Sequence, residues 1–475
     1  ALQQLAVHPD QIQFVDDGME FTSVDLLDRA RKLAGYFTSL GLRPGDVVAF
    51  QLPNGWEAMV ISLAATMTGT VVSPIVPINR DSEVRLILNA AKARIMIIPP
   101  QFRGFDYVAM VGRIWAEAPA LDTVLVTGGE TYLEPFLSFD DVLETSSPIL
   151  EPLTVDPNAV KLIMHTSGTT GRPKGVLHSH NTLDRVAQVG FRHSGINGDI
   201  TLMPSPVTHI SGYSGGLEKP FAVGSRTVLM EMWNAAEAVE LIDRFGVTST
   251  VAATPFLHEL CDAAAAKGSA LSSFRRFACG GAAVPADLVH SANGRLANPC
   301  AYRVFGSSEV PMATQGILPE TSLHKAAETD GKAIDYELRI VDDEGRDVTT
   351  GVDGEVLARG PAMFLGYADA AQTAESITED GYFRTGDIGH LTPEGALVIT
   401  GRKKDLIIRG GENIYPFEIE NCIEEMAGVI ETAVIGVDHD NNTSLHLAEN
   451  RADWPGRALR RQGSPVVIDG QRVWA

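Results

Sequence analysis

The alternation of short β-rich runs with helical segments in the first third of the chain is the strongest constraint on its fold. Three apolar runs, Val47–Phe50, Val71–Val76 and Arg94–Ile98, are separated by helical patterns over about 56–67 and 82–92. Continuous apolar strands that alternate with helices are typical of a parallel sheet with both faces covered. The sequence therefore predicts an α/β fold with a doubly wound sheet.

Two further blocks extend this pattern. A second alternating block runs from about 200 to 310, with strands at Thr227–Met230 and Ser249–Ala252 and a helix at Ala235–Phe245 between them. From about 335 to 400, short strands separated by glycine turns indicate a β-meander or a small barrel. We predict a large N-terminal domain, residues 1–402, of two doubly wound sheets plus a small β-barrel subdomain. A small, truncated α+β domain, residues 403–475, would follow, with an unusual tail from about 440.

Composition limits the classes of partner. The 475 residues include 38 Lys and Arg against 60 Asp and Glu, which gives a formal net charge of −22. Such an acidic chain is unsuited to binding nucleic acid or anionic lipid through its overall field. A local basic site for a nucleotide remains compatible with this charge.

Cysteine spacing and hydropathy point to a cytoplasmic protein. The four cysteines are far apart, which excludes a CxxC redox motif or zinc knuckle and predicts buried thiols in a reducing compartment. The start of the chain shows no leader pattern, and the uncharged stretch Ala58–Asn79 is interrupted by one glycine and two prolines. We interpret that stretch as a buried helix followed by a strand, without a membrane span. The cysteines are Cys261, Cys279, Cys300 and Cys422.

A loop rich in glycine and hydroxyl residues carries the strongest local signal. Residues 166–174 read Thr-Ser-Gly-Thr-Thr-Gly-Arg-Pro-Lys. Glycines let the backbone turn tightly and present several N–H groups to one anion, while the hydroxyls and the lysine add donors and a positive charge. The Walker loop differs, because it needs glycine immediately before the lysine and serine or threonine after it. The residues predicted to cradle a phosphate are Thr166, Ser167, Gly168, Thr169, Thr170, Gly171 and Lys174.

Three further motifs follow in order. They are Phe-Gly-Ser-Ser-Glu at 305–309, Tyr-Phe-Arg-Thr-Gly-Asp at 382–387, and Gly-Arg-Lys-Lys-Asp at 401–405 with Gly-Gly-Glu-Asn-Ile-Tyr-Pro at 410–416. With these motifs the chain resembles the adenylate-forming superfamily, which includes acyl-CoA synthetases, adenylation domains of peptide synthetases and luciferases. The resemblance extends from about residue 10 to 437.

The resemblance implies roles for residues within these motifs. The ring of Phe305 would stack against adenine, and Glu309 would hold a Mg²⁺ ion that also contacts phosphate oxygens. Asp387 and Arg402 would bind the ribose hydroxyls. Lys404 matches the hinge about which the small domain turns in this family. The nucleotide-binding residues implied in these motifs are Phe305, Gly306, Ser307, Ser308, Asp387 and Arg402.

The acid is expected beside Pro206–His209, which matches the family segment that places an aromatic residue or histidine next to the carboxylate. We predict that His209 acts there with Lys174 and Glu309, rather than as a structural core histidine. Glycines 212, 215 and 216 would leave room for a compact or cyclic acyl group, and these segments offer no carboxylate for an α-amino group. The residues predicted to line the acyl pocket and the adenine edge are His209, Gly212, Thr254, Gly280, Gly281 and Ala282.

The activity that the resemblance implies is ATP-dependent activation of a fatty, cyclic or steroid-derived acid to an acyl-adenylate, followed by transfer to coenzyme A. ATP, Mg²⁺ and coenzyme A are the expected cofactors, and the sequence leaves a homodimer open. A stand-alone adenylation domain that loads a carrier protein is an alternative. A catalytically weakened nucleotide-binding relative is another.

The lack of a lysine near the end of the sequence favours the alternative of a catalytically weakened nucleotide-binding relative. Members of the family carry a lysine near the C-terminus that bridges the carboxylate and the α-phosphate, whereas no lysine follows Lys404 in this sequence. Residues 441–475 resemble a frameshifted or aberrant end. We therefore expect impaired first-step catalysis, unless Arg457 or Arg460 supplies the cation.

Overall fold

The protein is described from a computed structural model. The structure describes residues 11–128, 132, 134–166, 173–282 and 284–405, and beyond them 407–409, 412–414, 416, 419–420, 423, 429–439, 442–451, 466–468 and 471–473. The helices are α1 Ser23–Ser39, α2 Trp56–Thr68, α3 Asp81–Ala91, α4 Tyr107–Ile114, α5 Phe139–Thr145, α6 His180–Ser194, α7 Ile210–Gly212, α8 Lys219–Val223, α9 Ala235–Phe245, α10 Thr254–Lys267, α11 Ala286–Arg295, α12 Leu323–Glu328 and α13 Ala370–Ser376. A π-helical turn, Tyr213–Glu218, joins α7 to α8, and 3₁₀ turns lie at Trp115–Glu117 and Lys403–Asp405.

The strands, numbered in chain order, are β1 Ile12–Asp16, β2 Met19–Thr22, β3 Val47–Phe50, β4 Val71–Pro74, β5 Ala93–Ile98, β6 Gln101–Phe102, β7 Phe105–Asp106, β8 Thr123–Val126, β9 Phe136–Ser138, β10 Val160–Thr166, β11 Lys174–Ser179, β12 Ile200–Met203, β13 Arg226–Leu229, β14 Ser249–Ala252, β15 Arg276–Cys279, β16 Ala301–Arg303, β17 Thr314–Gln315, β18 Lys332–Ala333, β19 Glu337–Val341, β20 Gly354–Arg359, β21 Gly366–Tyr367, β22 Phe383–Leu391, β23 Leu397–Arg402, β24 Ile407–Arg409, β25 Glu412–Ile414, β26 Val429–His439, β27 Asn442–Arg451, β28 Val466–Ile468 and β29 Gln471–Val473.

The first large sheet has eight strands in the order β21-β11-β10-β4-β3-β5-β8-β9. Its strands pair in parallel except at the β10–β11 and β11–β21 pairs, which are antiparallel. Helix α2 is buried along most of its length, and its side chains share one hydrophobic core with residues from both large sheets. A helix that is apolar on all faces is stable in water only in such a position.

The second large sheet has seven strands in the order β16-β15-β14-β12-β13-β1-β2. All pairs are parallel except β1–β2. Its outer face packs against α9, α10 and α11 in a second hydrophobic core. The predicted doubly wound α/β architecture is therefore confirmed.

A third sheet is antiparallel, with four strands in the order β19-β20-β22-β23. Its strands pair in chain order apart from β21, which joins the first large sheet, and this is the meander that the sequence predicted as one alternative. The small barrel, the other alternative, does not describe this open four-stranded arrangement. The division at residue 402 remains a prediction.

Local predictions agree with the structure to within a few residues. The helix predicted at Ala235–Phe245 has those bounds, while the strand predicted over Val71–Val76 ends at Pro74. Proline has no N–H to give to a sheet ladder, which accounts for the early end. Cys261, Cys279 and Cys300 are buried free thiols, as predicted, and burial raises the pKa of each to about 11 or 12. Cys422 lies outside the described residues. Within the described part of the chain, no helix combines the length and apolarity needed to cross a bilayer.

Candidate active site

A cavity of about 1000 Å³ lies where the carboxyl ends of β14, β15 and β16 meet the β10–β11 pair and the β22–β23 edge. Ligands in open α/β folds bind at the carboxyl ends of parallel strands, because the connecting loops diverge there and leave a crevice. Gly280 allows this convergence, since a Cβ at that position would lie 2.6 Å from the carbonyl oxygen of Val304. Gly281 and Gly306 also line the cavity.

The ends of the predicted phosphate loop border this cavity. Thr166 and Lys174 pair directly across the β10–β11 ladder, and both line the cavity. The lysine Nζ lies 4.8 Å from the centroid of the Tyr367 ring. The intervening predicted residues, Ser167, Gly168, Thr169, Thr170 and Gly171, lie outside the described residues.

Glu309 is held in the same cavity by two hydroxyl groups. The Ser307 hydroxyl donates to Glu309 Oε2 over 2.9 Å, and the Tyr367 hydroxyl donates to Oε1 over 2.7 Å. The loop is also fixed from behind, because His178 Nε2 donates to the carbonyl oxygen of Ser308 over 2.7 Å. Burial lowers the pKa of His178 to about 4, so the imidazole is neutral near pH 7.

These groups suit a hard divalent cation. Magnesium prefers oxygen ligands, and a carboxylate retains free lone pairs after accepting two hydrogen bonds. Glu309 would hold Mg²⁺, and Thr166 lines the same cavity.

Asp387 and Arg402 face each other across the β22–β23 pair and also line the cavity. Arg402 Nε donates to Asp387 Oδ1 over 3.0 Å. The aspartate side chain is only 11% exposed, and burial raises its pKa to about 6 despite the opposing effect of Arg402. Among the described residues only Arg402 bonds to this carboxylate, so Asp387 offers an acceptor oxygen at the cavity.

His209 lines the cavity immediately before α7. Burial lowers the pKa of its imidazole, so the ring is neutral near pH 7. Gly215 lines the cavity as well, as expected. Burial lowers the pKa of three further histidines, His165, His178 and His180, to about 4.

Five of the predicted site residues that the structure describes, Gly216 among them, do not line the cavity. Phe305 is 9% exposed, packs in the core and does not line the cavity, whereas its neighbours Val304 and Gly306 do, so its stacking against adenine stays a prediction. The absence of a side chain at Gly212 allows close backbone packing and does not enlarge the pocket, because a Cβ there would lie 2.0 Å from the Pro206 carbonyl oxygen. Ala282 is exposed, and Thr254 starts α10 with its hydroxyl near Cys279 Sγ.

One residue that was not predicted from the sequence bridges the two charged groups. Tyr367 contacts both Lys174 and Glu309, although it lies in a two-residue strand far from either motif. A second unpredicted feature is the face of α6 formed by Val186, Gly190 and Ser194, which lines the cavity at i, i+4, i+8 spacing. That spacing is visible in the sequence and is the one signal that could have identified the wall.

Family comparison agrees with this geometry. Residues 2–368 match the model of a family described as AMP-binding enzyme. The chain belongs to the AMP-binding enzyme family. This AMP-binding enzyme is 30% identical over 443 residues to the medium-chain fatty-acid–CoA ligase of Escherichia coli, covering 91% of this chain and 76% of that protein.

A second relative and a solved structure extend the likeness. A 3-[(3aS,4S,7aS)-7a-methyl-1,5-dioxo-octahydro-1H-inden-4-yl]propanoyl:CoA ligase of Mycobacterium tuberculosis is 33% identical over 437 residues, covering 90% of this chain and 83% of the relative. The fold matches ATP-bound MatB from Rhodopseudomonas palustris with a TM-score of 0.83 at 24% identity, over 95% of this chain and 87% of that one.

The last part of the chain has a separate likeness. Residues 385–475 match a family model described as aminoglycoside 3-N-acetyltransferase. This range includes residues 441–475, which do not resemble the adenylate-forming family. It also overlaps the β22–β23 pair that carries Asp387 and Arg402.

Proposed function

We propose that this AMP-binding enzyme is an AMP-forming acid–CoA ligase that acts on a carboxylic acid with a fatty, cyclic or steroid-derived body. The observation that carries the proposal is the convergence of Lys174, Glu309 and the Asp387–Arg402 pair on one cavity with His209. The relatives named above, both CoA ligases, support the same reaction class.

The first step joins two negatively charged reactants. A carboxylate oxygen attacks the α-phosphorus of ATP, the bond to the bridging oxygen breaks, and pyrophosphate leaves. No proton transfer is required, so catalysis consists of alignment and charge neutralisation. Lys174 supplies a positive charge, and Glu309 would position Mg²⁺, which neutralises phosphate oxygens when bound. One oxygen of the Asp387 carboxylate accepts a hydrogen bond from a ribose hydroxyl, while Arg402 donates to the other oxygen of the same carboxylate.

The second step transfers the acyl group. The coenzyme A thiol attacks the acyl carbon, the bond to the AMP oxygen breaks, and the thiol proton is released. We propose that Lys404, which lies in the 3₁₀ turn after β23 and lines the cavity, is the hinge between the two steps. Exclusion of water during this change protects the mixed anhydride.

We further propose that the first step draws no lysine from residues 405–475, because that segment contains none. A charge contact to a transition state of this kind is worth about a hundredfold or more in rate. Arg457 and Arg460 are the alternative cations.

Release of AMP from ATP, measured across a panel of carboxylic acids with coenzyme A or a phosphopantetheinylated carrier protein as acceptor, tests the proposal. The ligase assignment predicts AMP and an acyl-CoA product for at least one acid. Transfer only to the carrier protein would support the stand-alone adenylation domain. ATP binding without turnover on any acid would support the weakened relative.

A further inference from the structure

Two imidazoles and a carboxylate come together on the protein surface, away from the cavity. His290 lies on α11, His324 and Glu328 lie on α12, and none of the three lines the cavity. One nitrogen of each histidine and one oxygen of the glutamate lie within 4.8 Å of one another. Residues four apart on a helix lie on the same face, which places His324 beside Glu328, whereas His290 reaches them through the packing of the two helices.

The spacing of these atoms is close to that of a zinc site. His290 Nε2 lies 3.2 Å from Glu328 Oε1, and His324 Nδ1 lies 3.9 Å from the same oxygen. Bonds of about 2.0–2.1 Å from Zn²⁺ to nitrogen and oxygen, at tetrahedral angles, place two ligand atoms about 3.3 Å apart. The first distance already matches this value. A small rotation of the exposed His324 side chain brings the second to the same value.

The backbone that carries these three side chains is fixed by burial on its inner side. Val289 and Ala292 of α11 and Ala327 of α12 are buried in the same hydrophobic core. Arg303 Nη1 also donates to the Ala327 carbonyl oxygen over 3.2 Å, which ties α12 to β16. The two helices are therefore held side by side without a metal, and binding of an ion requires little further ordering.

Neighbouring cations are engaged elsewhere and leave Glu328 available. Lys325 Nζ lies 3.2 Å from Glu394 Oε1, and Arg295 Nη2 lies 2.5 Å from Asp262 Oδ1. Within the described part of the chain, the Glu328 carboxylate pairs only with the two imidazoles. Exposed pairs of this kind contribute little to stability, so an ion that replaces them with metal–ligand bonds loses little.

The donor set selects the type of metal. Two imidazole nitrogens and one carboxylate oxygen suit Zn²⁺, whereas Mg²⁺ and Ca²⁺ prefer oxygen ligands alone. The side chains of His290, His324 and Glu328 are 39%, 77% and 44% exposed, so an ion can reach them from solvent. Three protein ligands at an exposed site leave the fourth tetrahedral position to water.

We infer that His290, His324 and Glu328 form a surface site for Zn²⁺ that links α11 to α12, with water as the fourth ligand. The site is independent of the proposed function, because it lies outside the cavity and its donor set differs from that of Glu309. Zn²⁺ bonds to both helices only when they lie side by side, so its binding stabilises the folded chain.

The test titrates Zn²⁺ alone into the full chain, freed of metal beforehand, in competition with a coloured zinc chelator. We expect the wild-type protein to bind one more Zn²⁺ ion per chain than any of three variants, or to bind it about tenfold or more tightly. The variants are His290→Ala, His324→Ala and Glu328→Gln. A hundredfold excess of Mg²⁺ should not displace this ion, because magnesium does not favour imidazole.

A matched control is His258→Ala. His258 Nδ1 lies 3.4 Å from Asp262 Oδ2, which makes another exposed histidine–carboxylate pair four residues apart on a helix, and no third ligand from the described residues joins it. His258→Ala should leave Zn²⁺ binding unchanged. Equal binding by the wild-type protein and all three site variants would overturn the inference, and so would an equal loss in His258→Ala.

Thermal unfolding tests the link between the helices and shows whether the variants fold. Zn²⁺ at about a hundredfold above its dissociation constant should raise the melting temperature of the wild-type protein by about 2 °C or more. It should leave that of His290→Ala unchanged. An unshifted melting temperature in the wild-type protein would overturn the link. Because no acid, ATP or coenzyme A is present, neither result depends on whether the protein is a ligase.

Discussion

Asp387 is a single residue whose buried carboxylate is available to bind the nucleotide but lowers the stability of the folded protein. Burial raises the pKa of this carboxyl to about 6, and the Arg402 guanidinium offsets the effect only in part. The folded state therefore binds a proton more tightly than the unfolded state does. The cost of the ionised carboxylate is fully present above about pH 6 and is lost as the pH falls towards 4.

Asp387→Asn should accordingly stabilise the protein and weaken nucleotide binding. At pH 8 we expect a gain of about 1–3 kcal/mol in the free energy of unfolding, which disappears near pH 4. ATP affinity should fall by about tenfold, because an amide is a weaker acceptor than a carboxylate. Denaturant unfolding at both pH values and titration calorimetry measure the two effects. A loss of stability at pH 8 would show that pairing with Arg402 outweighs burial.

Variants of Glu309 and Tyr367 should distinguish loss of the bound Mg²⁺ ion from a weaker hold on the carboxylate that binds it. Glu309→Gln should lower AMP release by about a hundredfold or more, because the developing negative charge loses its bound cation. Tyr367→Phe removes one hydrogen bond to the carboxylate, and the Mg²⁺ concentration needed for half-maximal rate should rise about tenfold.

A matched control is Glu344→Gln, which changes an exposed glutamate in a turn. It should leave both the rate and the Mg²⁺ requirement unchanged. If Tyr367→Phe lowers the rate but leaves the Mg²⁺ requirement unaltered, the tyrosine acts through its contact with Lys174 and not through its hydrogen bond to Glu309.

At the level of elements, the segment before and within α7 positions His209 through close backbone contact. The helix carries no side-chain cap, and Gly212 packs directly against the Pro206 carbonyl. The approach of helix and loop therefore depends on the absence of a side chain at residue 212.

Gly212→Ala should destabilise the protein by about 1–3 kcal/mol and lower the rate of AMP release, because the added methyl must displace the loop that bears His209. Gly112→Ala changes an exposed helical glycine with open space around it and should stabilise slightly. Thermal unfolding of both variants gives the comparison. Equal stability of the two would show that the loop can move without cost.

The sequence predicted the elements well because their signals are local. Apolar runs and helical spacing identified both doubly wound sheets, and motif residues such as Lys174, Glu309 and Asp387 do line one cavity. Which face a motif residue presents depends on strand pairing, and for this reason Phe305 was assigned to the site although it packs in the core. Tyr367 was missed because its two contacts are made across distant parts of the chain.

The whole molecule combines a strongly acidic composition with a basic site. The net charge is −22, yet seven cationic side chains of the described residues line the cavity, and this contrast directs a polyphosphate to the site while the remaining surface repels it. The seven are Lys174, Lys219, Arg276, Arg384, Arg402, Lys403 and Lys404.

Residues 405–475 contain no lysine, so Arg457 and Arg460 are the candidate cations for the first step within that segment. Exchange of labelled pyrophosphate into ATP should fall about a hundredfold or more in Arg457→Ala or in Arg460→Ala, whereas affinity for an acyl-adenylate mimic should change little. Unchanged exchange in both variants would contradict the prediction.

Transfer of oxygen from the acid to AMP tests the central claim most directly. The protein is incubated with ATP, Mg²⁺, coenzyme A and a carboxylic acid labelled with ¹⁸O in both carboxyl positions, and the AMP is analysed by mass spectrometry. Attack of the carboxylate on the α-phosphorus predicts AMP that carries one ¹⁸O atom. Unlabelled AMP, or formation of ADP with the label in inorganic phosphate, would contradict activation of the acid as an adenylate.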